Sequence, residues 1–218
     1  MTPAISLVVA DDHALLRDAL ARRLDQEPDM RVLAVAADAR EATMLALTLR
    51  PMLVLLDIDM PGLSAFEAAR NIRTERPDTR VAFLSGYYHD SYIEQALAAE
   101  ASGYITKHER PEVLAQAIRA IAGGRVFFSA EVQARLVVGC EGLRLVAQPP
   151  TRASLLTARE IETLGYIARG MSKKAIARIM GISTKTVEQH CSHLMQKLDI
   201  HDRVELTRFA IREGLVEA

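Results

Sequence analysis

The sequence predicts two folded units of different class. Residues 1–122 read as a doubly wound α/β domain around a five-stranded parallel sheet, and residues 154–218 as an all-α domain of four helices, with residues 123–153 as a linker. Two observations carry that expectation. Apolar strand patterns alternate with helical patterns of about 10–15 residues along the first part, and helical patterns alone follow. The charge divides at the same place: 13 Lys/Arg stand against 18 Asp/Glu in residues 1–122, but 10 against 8 in residues 154–218. The net charge of −1 therefore conceals an acidic front and a mildly basic back, which suit different partners.

The elements follow in order. "AISLVVA" is an apolar run, and "ALLRDALARRLDQ" follows with helical spacing at Leu15, Leu16, Leu20 and Leu24. "RVLAVAA" precedes "AREATMLALTL", "MLVLLD" precedes "SAFEAARNIRTE", "RVAFLS" precedes "SYIEQALAAE", and "SGYITK" precedes "PEVLAQAIRAIAGG". The third strand is the most telling. Leu53 to Leu56 are all branched and apolar, as in a strand buried on both faces, and Asp57 arrives where the chain emerges before Pro61-Gly62. "GGRVFFSAEVQARLVVGCEGLRLVAQPPTRAS" breaks the alternation. It opens with Gly123-Gly124, holds one short helix near residues 129–138, and ends at Pro149-Pro150, which favours extended backbone, so it reads as an interdomain linker.

In the tail, Thr157 and Glu160 have the spacing of a capping box, and Ile161, Leu164 and Ala168 form an apolar stripe up to Gly170. Ser172 starts a second helix through Met180, Gly181 breaks it, and Ser183 or Thr184 caps a third that runs to Leu198. A fourth lies near residues 202–212, whose apolar Leu206 and Phe209 serve core packing or, as the alternative, a dimer contact. Two helices joined by a short Gly-containing turn make a helix-turn-helix, whose second member enters a DNA major groove. On that member Val187, Cys191, Leu194 and Leu198 mark the core face, with Lys185, Gln189, Ser192 and Gln196 opposite.

Composition narrows the class. Half of the residues are hydrophobic, yet no apolar run reaches the roughly 18 residues of a membrane span, and the first residues lack the pattern of a secretion signal. Cys140 and Cys191 stand far apart without metal-ligand spacing, which suits a reducing cytoplasm.

The strand ends carry the chemistry. In a doubly wound sheet they converge on one rim, where ligands bind. Asp11 and Asp12 follow the first strand, Asp57 the third, Ser85 the fourth and Lys107 the fifth. Clustered carboxylates repel unless a divalent cation neutralises them, and all-oxygen ligation suits Mg²⁺. Lys107 adds a point charge for a phosphoryl group, and the Ser85 hydroxyl can donate to one of its oxygens.

These residues carry a resemblance. "VVADDH", "LLDIDMPG", "FLSG" and "GYITK", in that order, resemble the flavodoxin-like receiver domain of bacterial two-component response regulators over residues 4 to about 122. The resemblance implies that Asp57 accepts a phosphoryl group from a sensor histidine kinase. It implies that Asp11 and Asp12 help hold Mg²⁺, with Asp12 favoured as the direct ligand, alongside Asp57 and the backbone carbonyl of Asp59. It makes Ser85, Tyr104 and Lys107 the switch hydroxyl, switch aromatic and phosphate-contacting lysine, with Tyr104 turning inward behind Ser85 on phosphorylation. Asp59 departs from the pattern, since that place is often apolar or neutral.

The tail resembles the output domain of LuxR-type transcription regulators through "LTARE", "IARGMSKKAIARIMGIS", "KTVEQH" and "KLDIHDRVEL". That likeness implies that Ser172, Lys173 and Lys174 approach phosphates, that Lys185, Thr186, Glu188, Gln189 and Ser192 face double-stranded DNA, and that Lys197 follows near its backbone. Lys173 stands where Asn is frequent and Glu188 where Lys is frequent; Glu188 accepts from cytosine N4 but repels phosphates. A receiver followed by this domain resembles the NarL/FixJ-type response regulators.

The resulting expectation is a cytoplasmic transcription regulator switched by phosphorylation, a homodimer when active, with no membrane partner and no enzyme activity beyond slow self-dephosphorylation. Two alternatives stand beside it. One is a regulator that binds DNA without phosphate, its receiver serving as a dimerisation or ligand module. The other is an aspartyl-nucleophile phosphatase, because "DIDMP" resembles the D-x-D of haloacid-dehalogenase-type enzymes, although those place the nucleophile on their first strand. "HCSH" at His190 and His193 invites a zinc site, but no second ligand pair accompanies it.

Overall fold

The computed structural model describes residues 4–86, 88–139, 142–145, 155–213 and 215. Cys140 and Pro149-Pro150 lie outside the described residues. The chain divides into two compact units, one built mainly on residues up to Arg144 and the other mainly on residues from Leu145 onward.

The first unit alternates β1 (Ile5–Ala10), α1 (Ala14–Asp25), β2 (Met30–Ala36), α2 (Ala39–Leu49), β3 (Leu53–Asp57), α3 (Ala65–Glu75), β4 (Arg80–Ser85), α4 (Asp90–Ala98), β5 (Gly103–Thr106) and α5 (Pro111–Ala122). All strand pairs are parallel, in the order β2-β1-β3-β4-β5, so the order reverses between β1 and β3. Leu53 to Leu56 have no exposed surface, as their unbroken apolar run requires. Alternation along the strands sends Leu7, Val9, Leu55 and Ile105 into a cluster with Leu24 of α1 and Leu114, Ile118 and Ile121 of α5. Phe83 points the other way, against Phe66 of α3 with ring centroids 4.9 Å apart.

The sheet has six strands, not five. Phe127–Phe128, in the segment expected to be linker, form β6 and pair with β5 at Gly103 and Tyr104. Two residues give no periodic signal; the strand exists because Gly103 lets it approach. A Cβ on Gly103 would stand 2.9 Å from the Phe127 carbonyl oxygen and 2.7 Å from Ile121 Cδ1. The helix expected near residues 129–138 is confined to α6 (Ala130–Gln133). Leu136–Gly139 form β7 instead, paired with β8 (Gly142–Leu145), in keeping with the β-branched Val137-Val138 pair.

Helix α1 forms as its spacing implies, with much of its apolar side uncovered. Its apolar spacing is as expected, but only Leu24 is buried, whereas Leu15 is 83% and Leu16 41% exposed.

The second unit holds α7 (Ala158–Ala168), α8 (Lys173–Met180), α9 (Thr184–Leu198) and α10 (Arg203–Arg212). The Thr157–Glu160 capping box is formed, and Gly181 ends α8 at φ +65°, in the left-handed region. Val187, Cys191, Leu194 and Leu198 are buried along α9, and Leu206 and Phe209 along α10. No described helix is long and apolar enough to cross a membrane.

Candidate functional site

Strand register assembles the rim. Ala10 pairs with Leu56, so Asp11 and Asp57 leave the sheet side by side at the reversal between β1 and β3. Asp57 pairs with Leu84 and Ser85 with Thr106, which places Ser85 and Lys107 just beyond it. Asp11, Asp57 and Ser85 are buried, although each is polar.

Charge pairing at the rim centres on Lys107. Its Nζ lies 2.8 Å from Asp11 Oδ2 and 2.8 Å from Asp57 Oδ2. The contact to Asp11 is a hydrogen bond, and the ammonium holds the buried Asp57 Oδ2 as an ion pair. Asp57 Oδ1 accepts from the Asp59 N–H at 3.3 Å. Burial pushes the Asp57 carboxyl above the ordinary aspartate value, and Lys107 pulls it down without cancelling that rise. Burial disfavours the Lys107 ammonium too, but the Asp57 and Asp11 carboxylates outweigh it and hold its pKa above the ordinary lysine value. Burial thus disfavours the charged Asp57 carboxylate even beside its lysine, which a bound cation would offset.

The donor set fits a hard divalent cation. One ligand atom each from Asp11, Asp12, His13 and Asp57 lie within 4.8 Å of one another, the only such group of three or more among the described residues. Carboxylates dominate it, and the buried Asp57 Oδ2 beside Lys107 is one of the oxygens on offer. His13 Nδ1 lies 2.8 Å from Asp12 Oδ1, so the imidazole leans on the carboxylate. No such group includes His190 or His193.

Two residues here escaped the sequence reading. Arg17 donates from Nη1 to the Asp11 carbonyl oxygen at 2.8 Å and pins the loop that presents the acidic pair. Its place one turn into the helix after "DDH" was the available signal. His13, the other, adjoins the acids directly.

Tyr104 is fully buried, its hydroxyl is hydrogen-bonded to Ser85, and burial pushes its phenol well above the ordinary tyrosine value. The inward position expected to follow phosphorylation is therefore the one the ring already holds.

In the second unit Ser172, Lys173, Lys174, Lys185, Glu188, Gln189, Ser192 and Lys197 are exposed and Thr186 is half-buried. Ser172 Oγ also caps α8 by accepting from the Ala175 N–H, and the Thr186 and Ser183 hydroxyls share a 2.8 Å bond. Lys173 lies 3.7 Å from Glu188. Lys197 donates to Glu160 Oε2 at 2.7 Å. Burial pushes the Glu160 carboxyl up, but Lys197 and the Thr157 donors outweigh it and hold it below the ordinary glutamate value.

Residues 7–119 match the family of response regulator receiver domains, and residues 154–210 the luxR family of bacterial regulatory proteins. The chain is 34% identical over 217 residues to the oxygen regulatory protein NreC of Staphylococcus epidermidis, covering 98% of this chain and 100% of that one. It is 32% identical over 227 residues to the transcriptional regulatory protein DegU of Brevibacillus brevis, covering 98% and 95%. Among solved structures, a LuxR-family two-component response regulator from Aurantimonas sp. SI85-9A1 matches with TM-score 0.58 at 34% identity, over 60% of this chain and 94% of that one. The response regulator ChrA of a heme-sensing two-component system matches with TM-score 0.52 at 28% identity, over 98% and 99%. With the acidic rim on one unit and the helix-turn-helix on the other, this chain belongs to the bacterial response regulators, transcription regulators that join a receiver domain to a LuxR-type DNA-binding domain.

Proposed function

We propose that this regulator is switched by transfer of a phosphoryl group from a sensor histidine kinase to Asp57, and that the phosphorylated form binds double-stranded DNA as a homodimer. The observation that carries the reading is Asp57, a buried carboxylate 2.8 Å from the Lys107 ammonium, at the reversal of strand order and beside a second buried carboxylate, Asp11. In the transfer an Asp57 oxygen attacks phosphorus, the bond to the kinase imidazole breaks, and the imidazole leaves with the electron pair. Asp11, Asp12, Asp57 and the Asp59 carbonyl would hold Mg²⁺, which supplies charge neutralisation for the phosphoryl oxygens. Lys107 and Ser85 then supply a cation and a hydroxyl to those oxygens.

A docking face for the kinase adjoins this site. Exposed Leu16 borders a cleft of about 270 Å³ lined also by Leu20, Leu84, Ile105, Pro111 and Leu114 and reaching Lys107. An apolar surface beside the phosphoacceptor suits a helical partner that must bring its histidine there.

For DNA, Lys173, Lys174 and Lys185 offer phosphate contacts, and Gln189 and Ser192 project from the exposed face of α9 toward base edges. Exposed Val204 and Ile211, seven residues apart on α10, offer an apolar stripe for a second copy. A dimer converts two weak half-site contacts into one bivalent contact. DNA binding places the protein's work in the cytoplasm.

The test is mass spectrometry after acetyl phosphate treatment: one added phosphoryl group in the native chain and none in Asp57→Asn. An adduct that persists in Asp57→Asn would overturn the assignment. Asp12→Ala should weaken Mg²⁺ binding. Sedimentation with beryllofluoride, with and without DNA, should show tighter association. If neither association nor DNA affinity responds, the receiver is a phosphate-independent module.

A further inference from the structure

We propose that residues 127–135 are the receiver's output lever, anchored on β5 at one end and held to the loop after Ser85 by Arg135 at the other. This rests on the phosphorylation reading for its trigger, but the contacts stand apart from it.

The anchored end is built into the sheet. The Phe127 N–H donates to the Ser102 carbonyl at 3.0 Å and the Ser129 N–H to the Tyr104 carbonyl at 3.0 Å. Ser129 Oγ accepts from the Thr106 N–H at 3.0 Å, and the Gln133 side-chain amide donates to the Phe128 carbonyl at 2.6 Å. Ser129 and Val132 are buried, and Gly103 leaves no room for a side chain beneath the Phe127 carbonyl. These bonds involve the very strand that carries Tyr104 and leads to Lys107.

The far end is held differently. The Arg135 guanidinium lies over the Tyr88 ring, 5.2 Å from its centroid. Tyr88 is three residues beyond Ser85, and Ser85 must reorient if its hydroxyl is to leave Tyr104 for a phosphoryl oxygen. Tyr104 is already fully buried, so the inward turn of that ring is spent. The β6 pairing is main-chain and largely buried, so it resists small shifts. What remains is the loop after Ser85. Movement of Ser85 toward a phosphoryl group draws Tyr88 away from the guanidinium and loosens the hold on the segment beyond β6, from which the chain continues toward the DNA-binding unit. Arg135 is thus a positioning residue: it touches no reacting atom and reports the position of the loop.

Amide hydrogen exchange on the full-length protein tests this, with and without Mg²⁺ and beryllofluoride. In the native chain the mimic should speed exchange of residues 130–135 by roughly two- to fivefold, the range of a partly exposed cation–π contact, while the Phe127 and Ser129 amides stay unchanged. Arg135→Ala should show the fast rate without the mimic, and Arg135→Lys, which keeps a cation over the ring, should restore the native response. Equal rates in the native chain and Arg135→Ala without the mimic would overturn the lever, as would a native segment that ignores a mimic shown to bind. If acetyl phosphate gives no adduct on Asp57, the phosphoacceptor reading falls, and the comparison without mimic still decides the lever.

Discussion

Replacing Lys197 with methionine should separate a structural tie from a DNA contact. The Lys197 ammonium lies 2.7 Å from Glu160 Oε2, on a side chain only 4% exposed, and that oxygen also accepts from the Thr157 N–H at 2.7 Å. Losing the ammonium strands a buried carboxylate. Removing one partner of a fully buried pair costs about 3–5 kcal/mol, whereas exposed pairs contribute about 0–1 kcal/mol. Lys197 is 36% exposed, so an intermediate loss of about 2 kcal/mol is expected. In a domain of this size that lowers the melting temperature by roughly 8–16 °C. Circular dichroism of a fragment spanning residues 145–218 measures it without the second transition of the receiver. The pH dependence gives an internal check. The folded pKa of Glu160 is depressed below 4.5, so the stabilisation is complete above that value and lost as pH falls through the lower folded pKa. The gap between native and Lys197→Met fragments should close in that acid range. The salt dependence of DNA binding decides the other half: a lost phosphate contact reduces the slope by about 0.9, a lost structural tie leaves it alone. A stability change under about 0.5 kcal/mol with a slope reduced by about one would refute the argument.

Three further outcomes are expected. Glu188→Gln should barely move stability, because Glu188 and Lys173 are both 55% exposed and 3.7 Å apart, yet it should tighten binding to random DNA and steepen its salt dependence by up to about one as Lys173 is released to phosphates; an unchanged slope rejects this. Gln189→Ala should cost about 1–3 kcal/mol on the cognate site and little on random DNA in a filter-binding comparison, and equal losses on both would remove its base-reading role. Leu16→Glu should slow phosphotransfer from the kinase while acetyl phosphate labels Asp57 at the native rate; equal slowing of both would mean that the site itself is damaged.

Much of the rim is legible in the sequence because each of these strands is a short apolar run with its chemistry at its last residue or one beyond. Once the strands are parallel and adjacent, register brings Asp11, Asp57, Ser85 and Lys107 together without further information. Other features depend on contacts that no local pattern encodes. Strand β6 exists through Gly103, some 24 residues earlier, and through Ser129 bonding back to Thr106. The Lys197 partner lies 37 residues away. Periodicity identifies the apolar residues of α1 but not whether anything covers them, and Leu15 and Leu16 stand exposed. The helical tail is easier, since its stripe, caps and breakers are all local.

The caps have a kinetic consequence. Thr157, Ser172, Ser183 and Asp202 each accept a backbone N–H from the first turn of their own helix, so every helix of the DNA-binding unit starts on local chemistry. In the receiver Asp38 of α2 does so, while α1, α3 and α5 begin at His13, Ser64 and Arg110 without a side-chain cap bond. Those helices take their starts from the strands they follow, and the parallel pairs between strands are distant in sequence. Local contacts favour folding in about microseconds to milliseconds, and non-local parallel pairing is slower. Synthesis order suits this division. The receiver leaves the ribosome first, and the remaining residues take roughly 5–20 s to add, so the slower unit has time to close its sheet before the faster one is complete.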